Sequence, residues 1–287
     1  MRPYLLAVTV SLLSLAAPAA EPPRGRQFWL DLKESKFRLP KDVTRGEVLH
    51  DALALLDDED PVLRDEVGYG LALQWLYRDQ ALTADEQKTF AAALLKRLED
   101  KKRGVLGRSF AALSLSMVAA AELKTPKLDG ELWARLVLAG CTELEQETDL
   151  RGHDPRVGWV HATAHTADLL KFVARDPRLT SVLQVRIVAA LSKRLERGDV
   201  FAWGEEERLA AVVRSLAQRK DLEKRLFEPW VIGLGVRWNK LWDNPKLDAA
   251  EFAKLNASKQ VLRAVLVTLP ESDPTAKRLS EVLGSMM

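Results

Sequence analysis

From residue 41 onward apolar side chains recur every three to four positions, the period of a helix with one buried face, and not every second position as in a half-buried strand. β-Branched clusters are short, and no turn dipeptide links two alternating apolar runs. Helix starts are well marked. Thr44-x-x-Glu47 and Thr83-x-x-Glu86 are capping boxes, in which hydroxyl and carboxylate reciprocally satisfy two amides that have no partner inside the helix. Asp60-Pro61 sets a capping carboxylate before a proline at the first helical position, and Asp248-x-x-Glu251 opens another segment. The pattern predicts helices over 45–57, 61–77, 84–98, 105–122, 130–147, 157–175, 181–196, 204–218, 222–240, 248–268 and 274–285.

These helices pair into hairpins. The segments 66–76, 108–118, 160–170 and 206–216 share a weak pattern, and their starts lie 42, 52 and 46 residues apart. Such a period predicts an all-α fold, an array of helical hairpins of the HEAT or armadillo kind (an α-solenoid or α/α superhelix), with an irregular bundle as the alternative. Small residues such as Gly68, Gly70, Ala111, Ala112, Ala162, Ala164 and Ala167 allow close approach of the second helices. Aligning these helices puts Ser109, His161 and Glu207 at equivalent positions, with Arg108 and Glu206 one residue earlier. They would form either a polar stripe along one face or a set of helix-start caps.

The ends divide the chain further. Arg2, the uncharged apolar run Tyr4–Leu15 and the small residues of Ala17-Pro18-Ala19 read as a signal peptide over residues 1–19, cleaved on export. The densely apolar part is about twelve residues, short of the roughly 20 that span a bilayer, so the expectation is an exported, periplasmic protein with no stable membrane anchor after cleavage. Residues 20–40, with Pro22-Pro23, Gly25 and Pro40, read as a linker whose Phe28, Trp29 and Phe37 pack on the domain, and 41–287 as a single α-helical repeat domain. The formal net charge of +2 and the interspersed signs exclude the electrostatic footprint of a nucleic-acid binder. A lone cysteine, Cys141, cannot form an internal disulfide and sits in an apolar helical run, so a buried thiol is expected. A monomer is the expected state.

Candidate chemistry is concentrated in one place. Three of the four histidines, His153, His161 and His165, fall between residues 149 and 170, together with Asp149, Arg151, Asp154 and Asp168. The other, His50, lies far upstream. Residues 148–156 form a long polar loop shaped by Gly152 and Pro155. In a helix starting near Gly158-Trp159, His161 and His165 would project from one face and could chelate zinc or another divalent metal, the third ligand coming from Asp149 or His153, or from Asp154, Glu206 or Glu207. Asp168 is better placed to orient His165 than to bind the same ion. The glutamate of H-E-x-x-H is missing, since Ala162 follows His161. Two further readings stand beside the metal: hydrogen-bonded histidines that hold a loop, and a metal-free pocket working by acid–base chemistry. No phosphate loop, dinucleotide fingerprint or nucleophile elbow occurs. Two functions follow: a binding or scaffold module for a protein, peptide or small-molecule ligand, with a polar groove of Asp149, Arg151, His161, His165, Asp168, Arg108 and Glu207; or a metal-dependent hydrolase using His161 and His165.

Several blocks together resemble a bacterial family of unknown function, DUF2785. They are Arg64-Asp65-Glu66 with Tyr69; Arg108-Ser109-Phe110; Asp149-x-Arg151-Gly152; Gly158-Trp159-x-His161-x-x-Ala164-His165-x-Ala167-Asp168; and Glu207-Arg208-Leu209. The resemblance covers roughly residues 45–220. It implies an all-helical fold and brings no catalytic role with it. The export signal and the loop text His153-Asp154-Pro155-Arg156 are particular to this chain.

Overall fold

A computed structural model describes residues 23–243, 246–270 and 272–286. The expected signal peptide, 1–19, and its cleavage site lie outside the described residues. Among these residues the fold is almost wholly helical, in agreement with the all-α expectation. Helix α1 is Gly25–Glu34 and α2 is Arg45–Leu55. Helix α3, residues 62–78, joins a π-helical stretch Val62–Tyr69, an α-helical turn Gly70–Ala72 and a second π-helical stretch Leu73–Arg78. Then come α4 (Ala84–Glu99), α5 (Val105–Lys124), α6 (Gly130–Gln146), α7 (Ala162–Arg175), α8 (Ser181–Leu195), α9 (Glu205–Ala217), α10 (Lys224–Leu241), α11 (Ala249–Thr268) and α12 (Pro274–Ser285).

The caps form as the sequence demands. Both capping boxes close, with Thr44 and Thr83 accepting from the Glu47 and Glu86 amides while each glutamate reaches back. Asp248 accepts from the amides of Ala250 and Glu251, both at 3.0 Å. Asp60 Oδ1 accepts from the Val62 amide at 2.8 Å.

Two expectations need correction. The stretch read as a linker, 20–40, carries helix α1, whose Trp29 and Leu32 are buried in the main core. The Trp29 indole also donates to the carbonyl of Pro23 at 2.9 Å. An aromatic that large, once buried, ties its segment to the core despite the flanking prolines. The helix expected from 157 starts only at Ala162. A two-stranded antiparallel hairpin, β1 (His153–Asp154) with β2 (Gly158–Trp159), occupies the preceding residues.

Packing runs between alternate helices: α5 on α7, α7 on α9 and α9 on α11, while α4 packs on α6 and α6 on α8. One buried apolar cluster extends from Trp29 to Met286. Helix α5 is long and apolar enough to cross a membrane, but 78% of its apolar window is buried inside the fold, as in the central helix of a core. Cys141 is buried, and burial pushes its thiol up to about 12, so it packs as a small hydrophobe.

Candidate functional site

The hairpin is built by local turn chemistry. Asp154 Oδ1 accepts from the amides of Arg156 at 2.9 Å and Val157 at 3.4 Å, Pro155 supplies the fixed φ of the first turn position, and Gly158 follows at φ +72°. This is a three-residue hairpin loop closed by a left-handed residue. The register pairs His153 with Trp159 and Asp154 with Gly158. The ladder continues irregularly, with Val160 N donating to Gly152 O at 2.8 Å and His161 N to Arg151 O at 3.0 Å.

Arg64 holds the hairpin from below. It is fully buried in the π-helical part of α3 and donates to the carbonyls of Asp58 at 3.0 Å, Val157 at 2.7 Å and Trp159 at 3.4 Å. Its guanidinium lies 4.6 Å from the centre of the Phe110 ring. Three carbonyl acceptors, an aromatic face and the Asp65 carboxylate 2.7 Å from Nε surround a planar cation that a lysine could not replace. On the other side Trp203 lies against Gly152, where an added Cβ would sit 2.0 Å from the indole Cγ.

His161 links hairpin to helix. It has φ 48° and ψ 34°, a left-handed conformation uncommon outside glycine, and its carbonyl accepts the first helical bond from His165 N at 2.9 Å. It is therefore the residue before α7 and not part of it. The expected helix does not include His161, yet its ring still meets that of His165, at 5.8 Å between centroids with a 70° interplanar angle. His161 Nε2 lies 2.9 Å from the carbonyl of Trp203. A carbonyl only accepts, so Nε2 carries the proton. Glu205 Oε1 is 3.9 Å from the same nitrogen.

His165 is 8% exposed, and its Nδ1 lies 2.8 Å from Ser109 Oγ. That hydroxyl donates its single proton to the carbonyl of Val160 at 2.5 Å. Nδ1 must then donate to the hydroxyl oxygen, which leaves the Nε2 lone pair unprotonated. Burial, aided by His161, Arg208 and Arg64, pushes the imidazole down to about 3, so the ring is neutral at ordinary pH.

The other expected residues are distributed differently. Asp168 does not orient His165. It accepts from Lys171 at 2.6 Å and from Arg208 at 2.9 Å. Arg108 is not a groove residue either, but is tied to Glu143 at 3.0 Å and to Glu147. Burial would raise the Glu147 carboxyl, yet amide donors at Asp149 and Thr148 and the Arg108 guanidinium hold it low. Its carbonyl in turn accepts from Arg194 and Arg197, both at 2.6 Å, so this cluster anchors the start of the 148–156 loop. Asp149, likewise held low against burial by Arg151, pairs with it at 2.6 Å, and Arg151 also reaches Asp154 at 3.1 Å. Glu207 is exposed on the first turn of α9. The stripe equating Ser109, His161 and Glu207 is replaced by direct contact of Ser109 with Val160 and His165.

Among the described residues no three His, Cys, Asp or Glu side chains gather to hold a metal ion. The third ligand expected from Asp149 or His153 is not supplied: Asp149 is turned onto Arg151, and the His153 ring stands edge-on to Trp159 at 5.2 Å.

The family model described as a protein of unknown function, DUF2785, matches residues 94–267. The chain belongs to this family. Comparison with curated proteins and with solved structures returns no match. The DUF2785 resemblance blocks, scattered over more than a hundred residues, converge in space: Arg64 and Tyr69 from α3, Ser109 and Phe110 from α5, Trp159 to Asp168, and Arg208 from α9. The Tyr69 hydroxyl donates to Met117 Sδ at 3.7 Å, and burial, with the Asp168 carboxylate, raises its phenol.

Sequence reasoning overlooked Trp203 and the clamp role of Arg64. Trp159 and Trp203 are 42% and 46% exposed, with centroids 6.1 Å apart and planes at 88°. His161 stacks on Trp159 at 4.8 Å and 24°. The turn text Asp154-Pro155-x-x-Gly158 was the signal that could have revealed the hairpin. Two hollows lie apart from this cluster. One of 420 Å³ is lined in part by Arg219, Phe227 and Arg278, and another of 250 Å³ is an apolar one beside His50. Neither combines a strained backbone, a strongly shifted histidine and exposed indoles, the features that mark a functional face.

Proposed function

We propose that this chain is an exported recognition module, a stack of HEAT-like helical hairpins that presents a rigid imidazole and tryptophan face to a protein, peptide or small-molecule ligand. The observation that carries this is the His161 ring, held by the Trp203 carbonyl and stacked on Trp159, beside two large indoles left in solvent at the same junction. His161 is fixed by the Trp203 carbonyl, and Trp203 N donates to Glu205, so the face is pre-organised and loses little freedom when it binds. The alternate packing of α5 on α7 and α7 on α9 supports the stacked arrangement, since in arrays each hairpin buries its face on the next.

A screen of fragments and short peptides, followed by nuclear magnetic resonance, tests the reading. Hits are expected to shift signals of the hairpin and of the α9 start. Hits that map instead to the 420 Å³ hollow near Arg219 and Phe227 would displace it. Export has its own test: protein recovered from its native host should begin at Ala20, and intact Met1 on soluble cytoplasmic protein would overturn that part.

A further inference from the structure

The aromatic corner constrains the chemistry of what it takes. One face of Trp159 is covered by His161, and Trp203 stands perpendicular to Trp159 instead of parallel to it. No slot exists between the two indoles in which a planar heteroaromatic ring could be sandwiched. Charge gives a second constraint. Arg151 pairs with Asp149 and Asp154, and Arg156 lies 3.9 Å from Asp154. Two cations thus face two carboxylates, while Glu205 is buried onto the Trp203 amide and Glu207 stays exposed on the first turn of α9, so these residues leave no unmatched cation to select a phosphate. The third constraint is the rim. The Arg151–Asp149 pair, with the guanidinium half-exposed, offers fixed donors beside fixed acceptors. A hydroxyl group can serve both at once.

A neutral ligand with one apolar face and an edge of hydroxyls meets all three constraints. We propose that the corner formed by Trp159 and Trp203 binds a pyranose ring of a neutral oligosaccharide, whose C–H face lies on an indole while its hydroxyls meet Arg151 and Asp149. This inference rests on reading the face as a recognition site.

The test is titration of the protein with cellotetraose, maltotetraose and chitotetraose, with choline and adenosine as counter-probes. The readout is the set of tryptophan indole N–H resonances. At least one tetrasaccharide is expected to shift the Trp159 and Trp203 signals saturably. Trp159→Ala should weaken that binding by about tenfold or more, and Trp159→Phe should retain most of it. Saturation transfer from the aromatic protons to the sugar C–H protons of the wild-type complex is a second measurement, independent of whether the alanine variant folds. If choline or adenosine shifts these signals and no tetrasaccharide does, the sugar assignment is wrong while the recognition reading stands. If the tetrasaccharides bind but neither indole responds, the corner is not their site and the proposal falls.

Discussion

At the scale of single residues, His165 and Arg64 make the most direct predictions, the first through its protonation and the second through its carbonyl acceptors. The unfolded imidazole titrates near 6.5 and the folded one near 3. Between those values only the unfolded chain takes the proton. The stability that His165 contributes is therefore complete above about pH 6.5 and is lost as pH falls toward 3, by at most about 1.4 kcal/mol per pH unit. His165→Gln removes this dependence, so the gap between wild type and variant in urea unfolding should narrow from neutral toward acid pH. Equal slopes in the two proteins would refute the buried neutral ring. The same melts, run with zinc and with chelator, should superimpose, because a bound ion at a hundredfold excess over its dissociation constant would add about 2.7 kcal/mol. Arg64→Lys strands carbonyls of Val157 and Trp159, since one ammonium cannot reach all three acceptors. A loss of about 3 kcal/mol is expected on denaturant unfolding, and a change under about half a kcal/mol would show that Arg64 is not the clamp.

At the scale of elements, the hairpin and the start of α9 act as one unit through Gly152 and Trp203. Gly152→Ala puts a methyl group 2.0 Å from the indole Cγ, so Trp203 must leave its seat. Overpacking of that kind costs about 1–3 kcal/mol. Gly158→Ala has a different cause, a side chain forced to φ +72°, and should cost about 1 kcal/mol. Tryptophan fluorescence separates the two: the emission should move red in Gly152→Ala and stay near wild type in Gly158→Ala. An unchanged spectrum and melt for Gly152→Ala would disprove the contact. The π-helical stretch of α3 belongs to the same scale, because it carries Arg64 to the hairpin carbonyls, and π-helical turns recur at functional sites.

Across the whole molecule, the site draws on α3, α5, α7 and α9, while α10 and α12 contribute none of its residues. Deleting residues 221–287 strips α11 from α9 but leaves the packing of α5, α7 and α9. The truncated chain is expected to keep a strongly helical far-ultraviolet circular dichroism spectrum with a lower melting temperature, because repeats depend chiefly on their neighbours. Complete loss of helicity would favour a closed bundle over a stacked array.

The helices and their caps were legible in the sequence because they depend on neighbours close in the chain. A helix needs an apolar spacing of 3.6 and a hydroxyl or carboxylate at its start, and Thr44, Thr83 and Asp248 supply that locally. The histidine segment was legible as a place, through its crowding of titratable groups. Three things were decided only by the tertiary structure. The seat of the hairpin at 153–159, whose turn is local, is set by Arg64, some ninety residues away, which donates to its carbonyls. The tautomer and low basicity of His165 come from Ser109 and from burial under other helices. Burial of Trp29 turned a proline-flanked stretch into α1. In each case the deciding partner is distant along the chain, and desolvation, which sets the energy of a buried charge or ring, is a property of the packed molecule and not of any segment of it.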